Sequence, residues 1–263
     1  MSFPGSVLLS QGDMHKEYSE KRHPLGTRGY TRDGRVFRYA KSAAAISCGR
    51  VVQVDPVSAL DDALSLAPTT GMSVTYSTNS QIFYLSSGNS IATANNFNDG
   101  FIFVSSGSSH IGQYAQIKSA PKHAGAADTY ADITIFPEDT FSKKLTTACK
   151  VGLIKNPYND VKMQANVAAG ALTGMTVGVT VKAISAADKY FWLQTWGPCA
   201  VITSAALNLG RRITVATATG SSGCIGLTST KALQMHRISL GQVLQVGSSS
   251  ANSSAVIFLQ LAP

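Results

Sequence analysis

Apolar residues along this chain fall in short runs, many alternating with polar positions and punctuated by Gly, Asn, Ser and Asp. A period of two over four to eight residues is the pattern of a strand, not of a helix. It predicts strands at SVTYS (73–77), QIFYLSS (81–87), FIFVSSG (101–107), QYAQIKS (113–119), ADITIF (131–136), ACKVGLI (148–154) and VGVTVKAI (177–184). A second β-rich block follows at YFWLQTWGPCAVIT (190–203), RRITVATATG (211–220), SGCIGL (222–227), HRISLGQVLQVG (236–247) and SAVIFLQLAP (254–263). Turn signals at intervals of about 8–12 residues imply a mainly β fold built as antiparallel sandwich or barrel domains. Two short helices are expected, one after Pro56 and one at PEDTFSKKL (137–145), where Pro and two acids open a turn and lysines close it.

Residues 1–25 mix Gly, Pro, His and charge without an apolar period and read as an extended arm. The arm leads into YTRDGRVF (30–37), where Asp-Gly between aromatic and β-branched residues signals a β-hairpin. With Asp33 and Gly34 as a two-residue turn, Arg32 faces Arg35, Tyr30 faces Phe37 and Arg28 faces Tyr39. One face then interleaves arginine with rings, and Arg38 lies on the other. The expected organisation is an arm and hairpin over 1–50, a β-rich domain over 51–188 and a second β-rich subdomain over 189–263.

Charge sharpens this picture. Only 14% of the residues are Asp, Glu, Lys or Arg, against about 25% in ordinary soluble domains. The net charge of +8 is concentrated early: residues 1–50 hold nine basic against four acidic side chains, and the remainder thirteen against ten. Five of the basic residues lie within Gly26–Lys41. Charged edge strands resist aggregation, but the sparsely charged strands elsewhere would need the same protection if exposed. The hairpin is therefore read as a device for a partner. An acidic protein surface is favoured over nucleic acid, because the small excess after residue 50 does not furnish a broad cationic groove.

Other chemistry is thin. Hydrophobic residues make up 44% of the chain, yet no run reaches the length of a membrane span. The opening MSFPGSVLLS lacks the basic start and the length of a secretory signal, so export by that route is not expected. Cys48, Cys149, Cys199 and Cys224 form no CxxC pair and read as buried free thiols. The five histidines show neither HxH nor HxxxH spacing, and no GxGxxG, GxxxxGK[ST] or GxSxG is present. Non-enzymatic function without a cofactor or metal is the expectation. NFNDG (96–100) could supply oxygen ligands to calcium, but it reads better as a tight turn at Asp99-Gly100. Asn252-Ser253-Ser254 matches a glycosylation sequon by chance. Tyr190, Trp192, Gln194 and Trp196 form a stripe that could stack sugars, although alternating rings on a strand more often fill a sheet interface.

The arginine-ring hairpin, together with HPLGTRGYTRDGRVFRYAK (23–41), VGLIKNPYNDV (151–161) and YFWLQTWGPCAVIT, resembles the organisation of tailed-bacteriophage head decoration, or cement, proteins. The resemblance implies a virion structural protein, made in the host cytoplasm and mounted on the outer capsid surface. It would bridge major capsid protein subunits as a homo-oligomer, commonly a trimer. Low-charge sheet faces buried between subunits agree with that picture. The residues expected at the capsid contact are Arg28, Arg32, Arg35 and Arg38, with Tyr30, Phe37 and Tyr39 packed beside them. A head or tail fibre that binds a host receptor or glycan is the alternative.

Overall fold

The structure is a computed structural model that describes residues 5–55, 67–68, 81–86, 95–106, 111–121, 131–139, 141, 150–165, 173–216, 220–227, 239–247 and 253–263. The chain divides into two compact units, Met1–Pro56 with Pro157–Pro263, and Val57–Asn156. The first unit opens with β1 (Ser6–Leu8), the one-turn helix α1 (Gln11–Met14), β2 (Glu17–Tyr18), β3 (Arg28–Tyr30), β4 (Val36–Lys41) and β5 (Val51–Gln53). The second unit holds β6 (Ala67–Pro68), β7 (Gln81–Ser86), β8 (Phe101–Ser106), β9 (Tyr114–Ser119), β10 (Ala131–Ile135) and β11 (Lys150–Ile154). The chain returns to the first unit as β12 (Lys162–Met163), β13 (Thr176–Thr180), β14 (Tyr190–Ile202), β15 (Arg212–Val215), β16 (Ile225–Leu227), β17 (Gly241–Gln245) and β18 (Ser254–Gln260).

The fold is mainly β, as the alternating pattern requires, and among the described strands every pair is antiparallel except β1 with β3. In the first unit the sheet runs β1-β3-β4-β14-β18-β17-β15-β16, with β2 and β13 joining β14, and β5 linking β13 to β12. In the second it runs β11-β8-β9-β10-β7-β6. This division differs from the expected boundaries at 50/51 and 188/189. Both of those cut through the first unit's sheet, because β4 pairs with β14 across the two of them and β13 pairs with β14 across the second. Composition cannot reveal such an arrangement, since strands separated by a whole inserted unit complete one another.

The strand SVTYS and the helix after Pro56 lie outside the described residues. Within 137–145, Pro137 and Glu138 form a turn, and 140 and 142–145 lie outside the description. Cys199 and Cys224 are buried as expected, and burial pushes the Cys199 thiol up to about 12. Cys48 corrects that expectation: it is exposed in the turn before Gly49. Cys149 lies outside the described residues. NFNDG forms a turn, with Asp99 at a positive φ of 60° and its carbonyl accepting from Asn156 at 2.9 Å.

The first unit is organised around β14. Its residues 191–195 are buried on both faces. Phe191 and Leu193 pack with Ala40, Ile46, Val52 and Val177, whereas Trp192 packs on the opposite face with Phe37 and Tyr39. Beyond Trp196 the strand alternates, and Cys199 and Val201 enter a third cluster with Ile213, Ile257 and Leu259. Gln194, almost fully buried, donates from Nε2 to the carbonyls of Trp196 at 3.1 Å and Pro198 at 2.8 Å. Those bonds satisfy an amide that would otherwise be costly to bury.

The N-terminal segment is not a projecting arm. Leu9, Met14 and Leu25 are buried with Phe37, Tyr39 and Trp192, and Glu17 accepts from the Ser185 amide at 3.0 Å and hydroxyl at 2.7 Å. These three apolar residues are irregularly spaced, so no period betrays their burial. Gly29 makes the docking possible: a Cβ there would meet Leu9 Cδ1 at 2.6 Å and Trp192 Cζ3 at 2.8 Å. Replacing Gly29 with Ala is expected to cost about 1–3 kcal/mol through overpacking, read as a lower urea midpoint.

Lys41 closes the other end of β4. Its ammonium lies 2.9 Å from Asp160 and 2.8 Å from Asp188. Burial disfavours the charge, but the two carboxylates outweigh it and raise the group above its ordinary 10.5. The raised value means that the clamp's stabilisation is complete below pH 10.5 and is lost as pH climbs through the folded-state value. A Lys41→Met variant should therefore lose less stability than the parent between neutral and strongly alkaline pH, measured by urea unfolding across that range.

Candidate partner-binding site

The hairpin β3–β4 folds around a loop one residue longer than the expected turn. The Thr31 amide donates to the Arg35 carbonyl at 3.0 Å and the Gly34 amide to the Thr31 carbonyl at 3.0 Å. Gly34 alone in the loop takes a positive φ, 84°. This is a three-residue loop of Arg32, Asp33 and Gly34, a type I turn closed by a left-handed glycine. The Asp33 carboxylate holds it, accepting from the Thr31 hydroxyl and from Arg35 Nε at 2.9 Å. The Thr31 hydroxyl first, and Arg35 after it, keeps the Asp33 carboxyl below its ordinary value.

The longer loop shifts the register by one residue. Arg28 lies opposite Arg38, Gly29 opposite Phe37 and Tyr30 opposite Val36. The expected pairings of Tyr30 with Phe37 and Arg28 with Tyr39 are thereby corrected. A one-residue slip exchanges the faces of a strand, so the anticipated mixed face of arginines and rings is split. Phe37 and Tyr39 turn inward and have no exposed surface. They cannot touch a partner. The Tyr39 hydroxyl accepts from the Arg22 amide at 3.2 Å, and burial raises its phenol to about 12.

The arginines also have unequal roles. Arg38 is an internal tether, donating to the Gly26 carbonyl at 3.2 Å and the Pro263 carbonyl at 3.4 Å, with its Nε buried and unbonded. Arg35 is half-buried, paired with Asp33 and lying 5.9 Å from the Phe37 ring centre. Arg28 is partly exposed, and Tyr30 and, at the loop, Arg32 are exposed. Neither Arg28 nor Arg32 has an ion pair among the described residues.

The loop forms one wall of a groove of about 520 Å³; the other wall is the end of β1 and the start of α1. Leu8 and Leu9 supply apolar surface, while Ser10, Asp13, Arg32 and Arg35 supply polar groups. Ser10 caps α1: its hydroxyl accepts from the Asp13 amide at 3.2 Å and donates to the Asp13 carboxylate at 2.6 Å. That bond, aided by Lys16 at 3.3 Å, holds the Asp13 carboxyl below its ordinary value. Both groove carboxylates are thus already partnered, and Arg32 is its unmatched charge. Sequence reasoning missed this second wall, although the Ser10-to-Asp13 spacing is a helix-capping signal.

Trp192, the centre of the aromatic stripe, is buried against Tyr39 and His23, with ring centres 5.0 Å and 5.4 Å away. It fills a sheet interface and offers no face to a sugar. No protein-family model matches the chain, and comparison with curated proteins and with solved structures likewise gives no match.

The loop gives a direct check on its geometry. A Cβ at Gly34 would meet nothing within 4 Å, so only the left-handed backbone opposes a side chain there. Gly34→Ala should cost about 1 kcal/mol, and Gly34→Asn distinctly less, both measured by urea unfolding.

Proposed function

We propose that the chain is a non-enzymatic virion structural protein that decorates the outer surface of a bacteriophage head and fastens to the major capsid protein through its hairpin tip. The observation that carries this reading is the division of charge on the hairpin. Arg35 and Arg38 are occupied within the fold, whereas Arg32 is presented, unmatched, beside a partly apolar groove. A protein contact uses a few oriented cations with apolar surface around them. Nucleic acid would need a longer cationic track. The low charge of the sheets supports assembly as a homo-oligomer, a trimer being the form the resemblance implies.

A fibre that binds glycan is the second reading, and its support lies in the second unit. On one face of the β8–β9–β11 sheet, Tyr114 is 70% exposed beside Phe101, whose other neighbour Ile154 is 47% exposed. Rings in the open can stack on sugars. Copy number separates the two, since a decoration protein approaches the abundance of the capsid protein and a fibre does not.

The test adds purified chain to empty heads and counts bound copies on gels. Substituting Arg28 and Arg32 together with Ser should leave the soluble protein folded. Each exposed pair contributes about 0.2–1 kcal/mol, so loss of two should weaken attachment by about two- to thirtyfold, with a shallower dependence on salt than the parent shows. Undiminished decoration by the double variant at every salt concentration would remove the hairpin tip from the contact.

A further inference from the structure

The β1 strand ends the first unit's sheet, and among the described residues it pairs with β3 alone. The Leu9 amide donates inward to the Tyr30 carbonyl at 2.8 Å. Backbone groups alternate sides along a strand, so the amides and carbonyls of Ser6 and Leu8 face away from β3. Two of the usual guards against pairing are missing from this short edge, since Ser6, Val7 and Leu8 are uncharged and free of proline. Leu8 adds a side chain 51% exposed. The groove lined by Leu8 and Arg32 opens at the C-terminal end of this strand.

From this juxtaposition we propose that β1 and the groove receive one extended peptide segment bearing carboxylates, which adds a strand to the sheet edge and sets an acidic side chain against Arg32. Main-chain bonds to Ser6 and Leu8 would hold the segment irrespective of sequence, and an apolar side chain would cover Leu8. Charge supplies the selectivity. Asp13 and Asp33 are already engaged by Ser10, Lys16, Thr31 and Arg35, so the charge that remains to be matched in the groove is that of Arg32. A segment carrying lysines would meet it with repulsion. This inference rests on reading the hairpin tip as a docking surface and names the chemistry of what docks.

The probes are two fluorescein-labelled octapeptides, one alternating Val with Glu and one alternating Val with Lys, titrated with the full chain and followed by fluorescence anisotropy. The Glu peptide is expected to bind, and the Lys peptide to bind about tenfold more weakly or not at all. Arg32→Glu should reverse that order. Leu8→Pro removes an outward-facing donor at a position where an edge strand tolerates proline, and should abolish binding of both. If Leu8→Pro fails to fold, Arg32→Glu still decides, because its side chain is exposed and makes no ion pair among the described residues. Equal binding of the two peptides, or no binding of either, would overturn the proposal. So would sedimentation showing that the edge is occupied by a second copy, with dimers that Leu8→Pro dissociates and the Glu peptide does not. The capsid reading fails separately: a chain that binds the Glu peptide but does not attach to heads has an acidic-strand site on some other partner. A chain that attaches to heads yet ignores both peptides keeps the capsid role and loses this site.

Discussion

Burial of β14 on both faces is the constraint from which the first unit follows. Five consecutive side chains, Phe191 to Thr195, are shielded from water, so each face of the strand must be covered by a different set of residues. Chain segments on either side of the inserted second unit provide that cover: Ala40, Val52 and Val177 on one face, and Leu9, Phe37 and Tyr39 on the other. The N-terminal residues are consequently a structural layer. A strand with one wet face could have done without them.

The same constraint determines which groups reach solvent at the hairpin. Trp192 lies opposite Tyr39 and Gln194 opposite Phe37 across the β14–β4 pair. Burying Phe37 and Tyr39 beside Trp192 fixes the face of β4, and the three-residue loop delivers β3 in the matching register. The placement of the arginines is then a consequence of where the rings go. Arg38 follows the face of Ala40 and Leu193 and satisfies carbonyls within the fold, whereas Arg32, carried by the loop, escapes. Arginine is suited to both positions, because its planar donors can bridge separate carbonyls or present a charge to a carboxylate.

Polar side chains inside the first unit are accommodated by mutual satisfaction. Gln53 and Gln164, both fully buried, bond to one another, and Thr176 donates to the Gln164 carbonyl oxygen at 2.9 Å while the Gln53 amide reaches Thr173 at 3.0 Å. This network ties β5 to the segments around β12 and β13. Apolar contacts alone fix a strand's face; directional bonds also fix its position along the neighbour.

Strand identity was legible in the sequence because alternation is a local property, carried by residues two apart and independent of distant partners. The expected runs at 81–87, 101–107, 113–119, 131–136 and 190–203 each correspond to a strand. The basic hairpin was legible too, from Asp-Gly and its flanks. What only the tertiary structure decided is which strands share a sheet, how one unit is inserted into another, and which hairpin side chains face water. Leu9, Met14 and Leu25 show why: they are buried in one cluster with Trp192, more than 150 residues further along the chain, and Leu9 fits there only because Gly29 has no side chain. Likewise the extra loop residue, held by Asp33 and Thr31, moved Arg28 and Tyr30 to the face opposite Phe37 and Tyr39. Periodicity reports that a residue has an apolar side to satisfy, while packing between remote segments selects what satisfies it.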